Sequence, residues 1–283
     1  IEPAHEGVFS ELLDEITSRI RKSKGIKYMR KYGTSSMAAL ANEIGFFPTM
    51  YWSRGRLDGW ENIGPKAVGS ILLHPQACWN CPVACGRYTK VKSRWGEIEM
   101  DGPEYETIFA LGGLFGLNRI EDLVYLNYLA DALGLDTITL GNILGFAVEA
   151  SRRGEIDFRI DYGDSDGAIK IVEMIARKEG IGKILAEGVM RASKMLGLED
   201  IAMHVKGLEP AGYDPRVLQG MSIAYATSPR GACHLRAMAY IIDIRKLAGE
   251  PDELGIQKIQ KIIEFEDWMA SFDSLCLLYT SPS

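Results

Sequence analysis

The sequence predicts a mainly α-helical protein carrying one short β-hairpin directly after a cluster of three cysteines. Apolar residues recur at spacings of three and four over most of the chain, as helices with one buried face require. Stop signals at Gly134, Gly154, Gly180 and Gly197 follow such runs. The one convincing extended stretch, residues 87–92 and 95–100, is joined by the turn chemistry of Ser93 and Gly96.

Helical periodicity opens over residues 11–23 and 35–44, and an apolar, glycine-rich helix is expected over residues 108–114. Asn118 and Glu121 have the spacing of a capping box, and Ile120, Leu123, Val124, Leu126, Leu129, Ala130 and Leu133 form the apolar face of the helix that follows. Further helices are predicted over residues 140–153, 167–178, 183–196 and 254–269. Between them, residues 206–219 break the period with Gly207, Pro210, Gly212 and Pro215, marking a domain boundary or a functional loop.

The chain has 283 residues, 47% hydrophobic and 25% charged, which suits one large or two ordinary globular domains and excludes a wholly disordered or fibrous chain. Thirty-two basic against 38 acidic residues give a net charge of −6, so nucleic acid is not an expected partner. No apolar run reaches the roughly 18 to 20 residues of a membrane span, and the start lacks a signal peptide, so no membrane association and a cytoplasmic location are expected. The chain starts without Met, and after Phe272 a new apolar element gives way to a polar scrap; both ends read as truncated, and the last residues as foreign.

Three of the five cysteines form C-x2-C-x3-C at Cys78, Cys81 and Cys85, followed by Gly86 and Arg87. Such spacing returns each sulfur to a common centre and points to a metal site in a reducing compartment; a 4Fe-4S cluster is preferred over zinc, which would normally show a second ligand pair, and over unrelated buried thiols. Next comes Gly-Pro-Glu-Tyr-Glu-Thr at 102–107, where one carboxylate can face a cavity while the other caps the following helix. Which of Glu104 and Glu106 takes which place the segment alone leaves open. In Asp-Ala-Leu-Gly-Leu-Asp at 131–136, two carboxylates five residues apart can accept paired N–H bonds from a guanidine-like heterocycle edge, or can close an ordinary helix. His234, at the end of Thr-Ser-Pro-Arg-Gly-Ala-Cys-His, can serve in proton transfer or simply pack. His5, His74 and His204 have no constellation around them and are read as structural.

These four segments, in this order, resemble the aldehyde ferredoxin oxidoreductase family of tungsten or molybdenum enzymes. The resemblance covers about residues 32–277 and implies the family's two helical domains without its N-terminal β-rich domain: residues 1–208 with the cysteine cluster and first pterin motif, and 209–283 with His234 and a truncated second motif. It implies a tungsten or molybdenum bis-pterin and a 4Fe-4S cluster as cofactors. Cys78, Cys81 and Cys85 match three cluster ligands; Asp131, Leu135 and Asp136 match the first pterin motif; Asp273 and Leu277 fall in the second. Leu278 stands where that motif ends in the fourth cluster cysteine, with Cys276 two positions early. Glu106, Tyr105 and His234 match residues lining the family's active site, Glu106 as general base and His234 on the substrate carbonyl, which assigns Glu104 to the helix start. The implied reaction oxidises an aldehyde to a carboxylic acid and passes electrons through the cluster to ferredoxin. An aromatic acyl-CoA reductase or a hydroxycarboxylate oxidoreductase of the same family is the alternative, and a non-catalytic iron–sulfur or zinc helical module is the reading from another class. The family's E-x-x-H interface iron is not expected, because Tyr125, Leu126, Asn127 and Tyr128 occupy that area; a homodimer, if formed, would lack it. Missing one domain and one cysteine, the isolated polypeptide is not itself required to be active.

Overall fold

A computed structural model describes residues 3–79 and 81–276. It is mainly helical, with one small antiparallel sheet, as the periodicity predicts. Helices α1 (Glu6–Lys22), α2 (Lys24–Tyr32), α3 (Ser36–Ile44) and α4 (Pro65–Ser70) precede strands β1 (Leu72–Gln76), β2 (Gly86–Ser93) and β3 (Gly96–Asp101). A short α5 (Tyr105–Thr107) runs into a π-helix (Ile108–Leu114), followed by α6 (Ile120–Leu133), α7 (Thr137–Arg153), α8 (Ser165–Arg177), α9 (Gly182–Leu185) and α10 (Val189–Leu196). The last elements are α11 (Gln219–Thr227), α12 (Ala239–Ile244) and α13 (Ile256–Cys276).

The sheet corrects the hairpin expectation by one strand. The predicted hairpin is β2 and β3, paired from Tyr88 with Asp101 to Ser93 with Gly96, and β1 adds to the free edge of β2. Pro75 and His74 obscured β1 in the sequence, yet proline is tolerated at a sheet edge, and the His74 ring stacks on Tyr88 at 5.0 Å. The cysteines therefore lie in the β1–β2 connection.

Three other expectations change. The predicted 183–196 helix is two, because Gly188 takes φ 80° and the buried Glu209 accepts the Val189 N–H at 2.8 Å, capping α10 from a distant loop. The Asn118–Glu121 capping box does not form: Arg119 is the N-cap residue, and Glu121 lies 3.9 Å from its guanidinium. Residues 108–114 are helical but π-wound. Their last carbonyls are satisfied from outside the helix, Gly113 O and Leu114 O accepting from Met50 N and Tyr51 N at 3.0 Å each.

The π-helix is entirely buried and packs on α7 at the centre of a core that includes Phe47, Phe109, Leu144 and Phe146 and continues through Ala211, Tyr213 and Met221. Asp136 starts α7 by accepting the Thr139 N–H at 2.7 Å, and Gly154 ends it in the left-handed region. Among the described residues no single helix is long and apolar enough to cross a membrane; α6 and α7 meet that test only together, and they are bent by 114°.

Close backbone packing is needed where α7 meets the π-helix. A Cβ on Gly141 would sit 2.4 Å from Ala110 O. Gly141→Ala is expected to cost about 1–3 kcal/mol by overpacking. Gly69→Ala, in α4 with nothing within 4 Å of the new Cβ, should be neutral or stabilise by up to about 1 kcal/mol; urea unfolding of the two variants checks both.

Candidate active site

Segment 104–107 and the loop at 209–216 build the site between them. Glu106 is 7% exposed, and its Oε2 accepts the Gly212 N–H at 3.0 Å. The Tyr105 hydroxyl donates to Gly212 O, which commits that phenol to holding the loop. A Cβ on Gly212 would meet the Phe109 ring at 2.7 Å, so only glycine lets the loop approach this closely. The expectation that residues 206–219 form a functional loop thus acquires a physical reason.

His234 comes from the other side, and its Nε2 stands 3.6 Å from Glu106 Oε1. Oε1 is buried without a hydrogen-bond partner. Both groups face a cavity of about 110 Å³ walled by Tyr105, Tyr213 and Tyr240, with Glu104 and Thr34 at its edge. Tyr213 stacks on Tyr240 at 4.1 Å and on the His234 ring at 5.6 Å. Sequence reasoning missed Tyr213 and Tyr240; Tyr213 adjoins Gly212 in the period-breaking segment, whereas nothing local marks Tyr240.

Burial dominates the charge state of this pair. It pushes the Glu106 carboxyl up to about 8, the Gly212 N–H pulling the other way and Asp136 adding to the rise. Burial, helped by the Arg230 charge, pulls His234 down to about 4. At neutral pH the two therefore face each other as a carboxylic acid and a neutral imidazole, and their 3.6 Å approach is not an ion pair.

A second cavity, of about 260 Å³, shares Glu104 and Glu106 with the first and is lined on its far side by Asp131, Leu135 and Asp136. The first pterin motif and the proton-transfer candidates thus lie on two sides of one wall. Asp131 accepts from Asn127 Nδ2 at 3.3 Å, and burial raises its carboxyl, with Asp101 adding to the rise. Asp136 spends Oδ2 on the α7 cap, so Asp131 is the less committed acceptor of the two. An open polar cavity ending in these carboxylates fits the amino-amide edge of a pterin.

Glu104 departs from its assignment. It is the backbone N-cap of α5, but its side chain makes no capping bond; it accepts from the Thr34 hydroxyl and lines both cavities. Thr34 supplies the cap instead, its Oγ1 taking the Tyr105 N–H at 2.9 Å.

Cys78 is exposed, Cys81 and Cys85 are half-buried, and all three thiols are free. Burial raises the Cys85 thiol, followed by Glu104, with Cys81 and Cys78 close enough to add to the rise. Among the described residues no three His, Cys, Asp or Glu side chains converge as ligands of a single metal ion. Three free thiols on one loop nevertheless fit three of the four cysteine ligands that a 4Fe-4S cluster takes. Asp273 lies on α13, where its carboxylate accepts from Arg236 at 3.0 Å and lines neither cavity. Leu277 and Leu278 fall outside the described residues.

A larger cavity, about 830 Å³, lies between the 50–54 turn and Arg216 and contains none of these groups. Among its charges Arg216 pairs with Asp214, and Arg152 with Asp161 and Glu149.

Comparison with known proteins gives the family. Residues 11–280 match the family described as aldehyde ferredoxin oxidoreductase, domains 2 and 3. The chain is 35% identical over 266 residues to the tungsten-containing aldehyde ferredoxin oxidoreductase of Pyrococcus furiosus, covering 88% of this chain and 43% of that protein. It is 33% identical to the Pyrococcus abyssi protein of the same name, over 99% of this chain and 48% of the relative. An aliphatic sulfonate oxidoreductase, WOR-like subunit, of Pyrococcus furiosus is 34% identical over 70% of this chain and 35% of its own length. The chain thus spans less than half the length of these curated relatives. The active-site complex BamBC of benzoyl coenzyme A reductase shares the fold, with a TM-score of 0.52 at 20% identity over 61% of this chain and 27% of that one. The helical architecture, the shared wall of the two cavities and a family match over residues 11–280 lead to one conclusion: the chain belongs to the aldehyde ferredoxin oxidoreductase family.

Proposed function

We propose that this chain forms the proton-handling and electron-exit part of an oxidoreductase that converts aldehydes to carboxylic acids, with ferredoxin as the electron acceptor. The observation that carries the proposal is the buried Glu106 Oε1, unpartnered among the described residues and 3.6 Å from His234 Nε2, in a cavity that shares Glu104 and Glu106 with the one lined by Asp131, Leu135 and Asp136. When bound, a tungsten or molybdenum bis-pterin accepts the two electrons of the oxidation, and a 4Fe-4S cluster passes them on singly. Asp131, Leu135 and Asp136 would hold a pterin, and Cys78, Cys81 and Cys85 would supply three of the cluster's ligands.

Converting an aldehyde and water to a carboxylic acid releases two protons with the two electrons. Glu106 Oε1 is placed to take one of these protons, because a carboxyl raised by burial is a stronger base once ionised than an exposed one. Neutral His234 is placed to hydrogen-bond the substrate oxygen through Nε2. The three tyrosine rings exclude water around the substrate, while the hydrogen bonds of Glu106 Oε2 and Tyr105 to Gly212 fix the base against the loop.

The charge state gives the pH dependence its sign. Glu106 is ionised only above about 8, so base catalysis by it rises with pH up to that value and levels off beyond. In an assembled enzyme carrying this sequence, kcat/KM for an aldehyde should follow that rising limb, and Glu106→Gln should lose it together with roughly 10²–10⁴ of the rate at pH 8. An unchanged profile in the Gln variant would contradict the role. Glu104 does not serve as a silent control, since its carboxyl lines the same two cavities.

The electron-exit half has its own test. Anaerobic reconstitution of the chain with iron and sulfide should load about four of each, and Cys81→Ser should abolish most of the uptake. Stoichiometric zinc with no iron would contradict the cluster.

A further inference from the structure

Arg87 is 1% exposed, one of the largest fully buried side chains of the described residues, and no carboxylate neutralises it at salt-bridge distance. Its guanidinium is instead surrounded by backbone carbonyls from two places. Nη1 donates to Lys31 O at 3.0 Å and Nη2 to Arg30 O at 2.9 Å, both in the last turn of α2, where the helix leaves carbonyls without intrahelical partners. Nη2 also donates to Ala84 O at 2.6 Å, and Nε is shared between Cys85 O at 3.1 Å and Gly86 O at 2.7 Å. Five carbonyls thus converge on one planar cation, three of them from the end of the cysteine loop.

The junction is tight on the backbone side as well. Gly33, directly after α2, takes φ 65°, and a Cβ there would sit 2.7 Å from Cys85 O and 2.9 Å from Arg87 Nε. Ala84 itself is in the left-handed region at φ 52°, a conformation that turns its carbonyl toward the guanidinium and that its own side chain disfavours. A second arginine reinforces the contact, Arg30 Nη1 donating to Pro82 O at 3.3 Å. The loop is therefore anchored from its C-terminal end, close to Cys85, whereas Cys78 at the other end is exposed.

We infer that Arg87 is the positioning residue of the cysteine loop: its guanidinium, bound to the end of α2, fixes the backbone at Ala84–Gly86 so that Cys85 is held in place for the cluster before any metal arrives. Lysine does not replace it. An ammonium has three donors on a single atom and no fork, so it cannot reach carbonyls spread around a plane. The inference deepens the proposed cluster role of Cys78, Cys81 and Cys85 and rests on it for its metal readout only.

The test compares the metal-free chain with Arg87→Lys, and with Gly33→Ala, which crowds the same junction without touching the charge. Amide exchange in peptides spanning residues 81–86 should speed up by roughly tenfold or more in both variants, while α6 and α7 keep their protection. Far-ultraviolet circular dichroism should stay at the wild-type value, and iron uptake after anaerobic reconstitution should fall to about half or less of wild type as the preorganised ligand is lost. Unchanged exchange at 81–86 in Arg87→Lys overturns the inference. So does a uniform rise in exchange across α6 and α7, which would make Arg87 a general stability element. A wild-type chain that takes up no iron would overturn the cluster reading instead, and the exchange result would still decide the role of Arg87.

Discussion

The buried carboxyl of Glu106 is the constraint around which the site is organised. Removing an ionised carboxylate from water costs several kcal/mol even after the protein relaxes, whereas one hydrogen bond to the charged form returns only about 1.5–3 kcal/mol. Glu106 has one such bond, from Gly212, and no cation at salt-bridge distance among the described residues other than a His234 that burial keeps neutral. The neutral form is therefore favoured at pH 7. At rest the pair is thus a carboxylic acid beside an unprotonated imidazole in a pocket walled by tyrosines, and Glu106 has to lose its own proton before it can accept one from a substrate, which ties its action to pH.

Holding that pair in place is the work of the scaffold. The π-helix begins directly after Thr107 and is locked by Met50 and Tyr51 at one end and by α7 along its side, so residues 104–107 are carried on the most buried segment of the fold. The 209–216 loop lies against it through Gly212 and contributes Glu209, whose carboxylate caps α10 and bonds Thr139 of α7. Arg87 does the equivalent for the cysteine loop by tying it to α2. The 209–216 loop and the cysteine loop are irregular backbone, and each is fastened to regular structure by a buried polar side chain.

Much of the helical layout was legible because burial of one face imposes a period on the sequence, as in α6 and α7. The four reactive segments were legible because chemistry restricts residue type and spacing: the C-x2-C-x3-C loop, Glu106 and His234 could be singled out before their positions were known. What escaped were long-range relations. Tyr240 meets Tyr213 by tertiary packing alone, Glu209 caps a helix from across a loop, and Glu104 turns inward because Thr34, 70 residues earlier, takes over the cap. β1 was hidden by a proline that an edge strand accommodates, and the end of the π-helix is satisfied by hydrogen bonds from a distant turn.

The most direct test of the central claim is an infrared titration of the chain, compared with Glu106→Gln. A protonated-carboxyl C=O band absent from the variant should persist through pH 7 and disappear only as pH passes about 8, giving way to a carboxylate signal. If that band is already gone at pH 6, Glu106 is an ordinary ionised carboxylate and the dry, proton-storing pocket is contradicted.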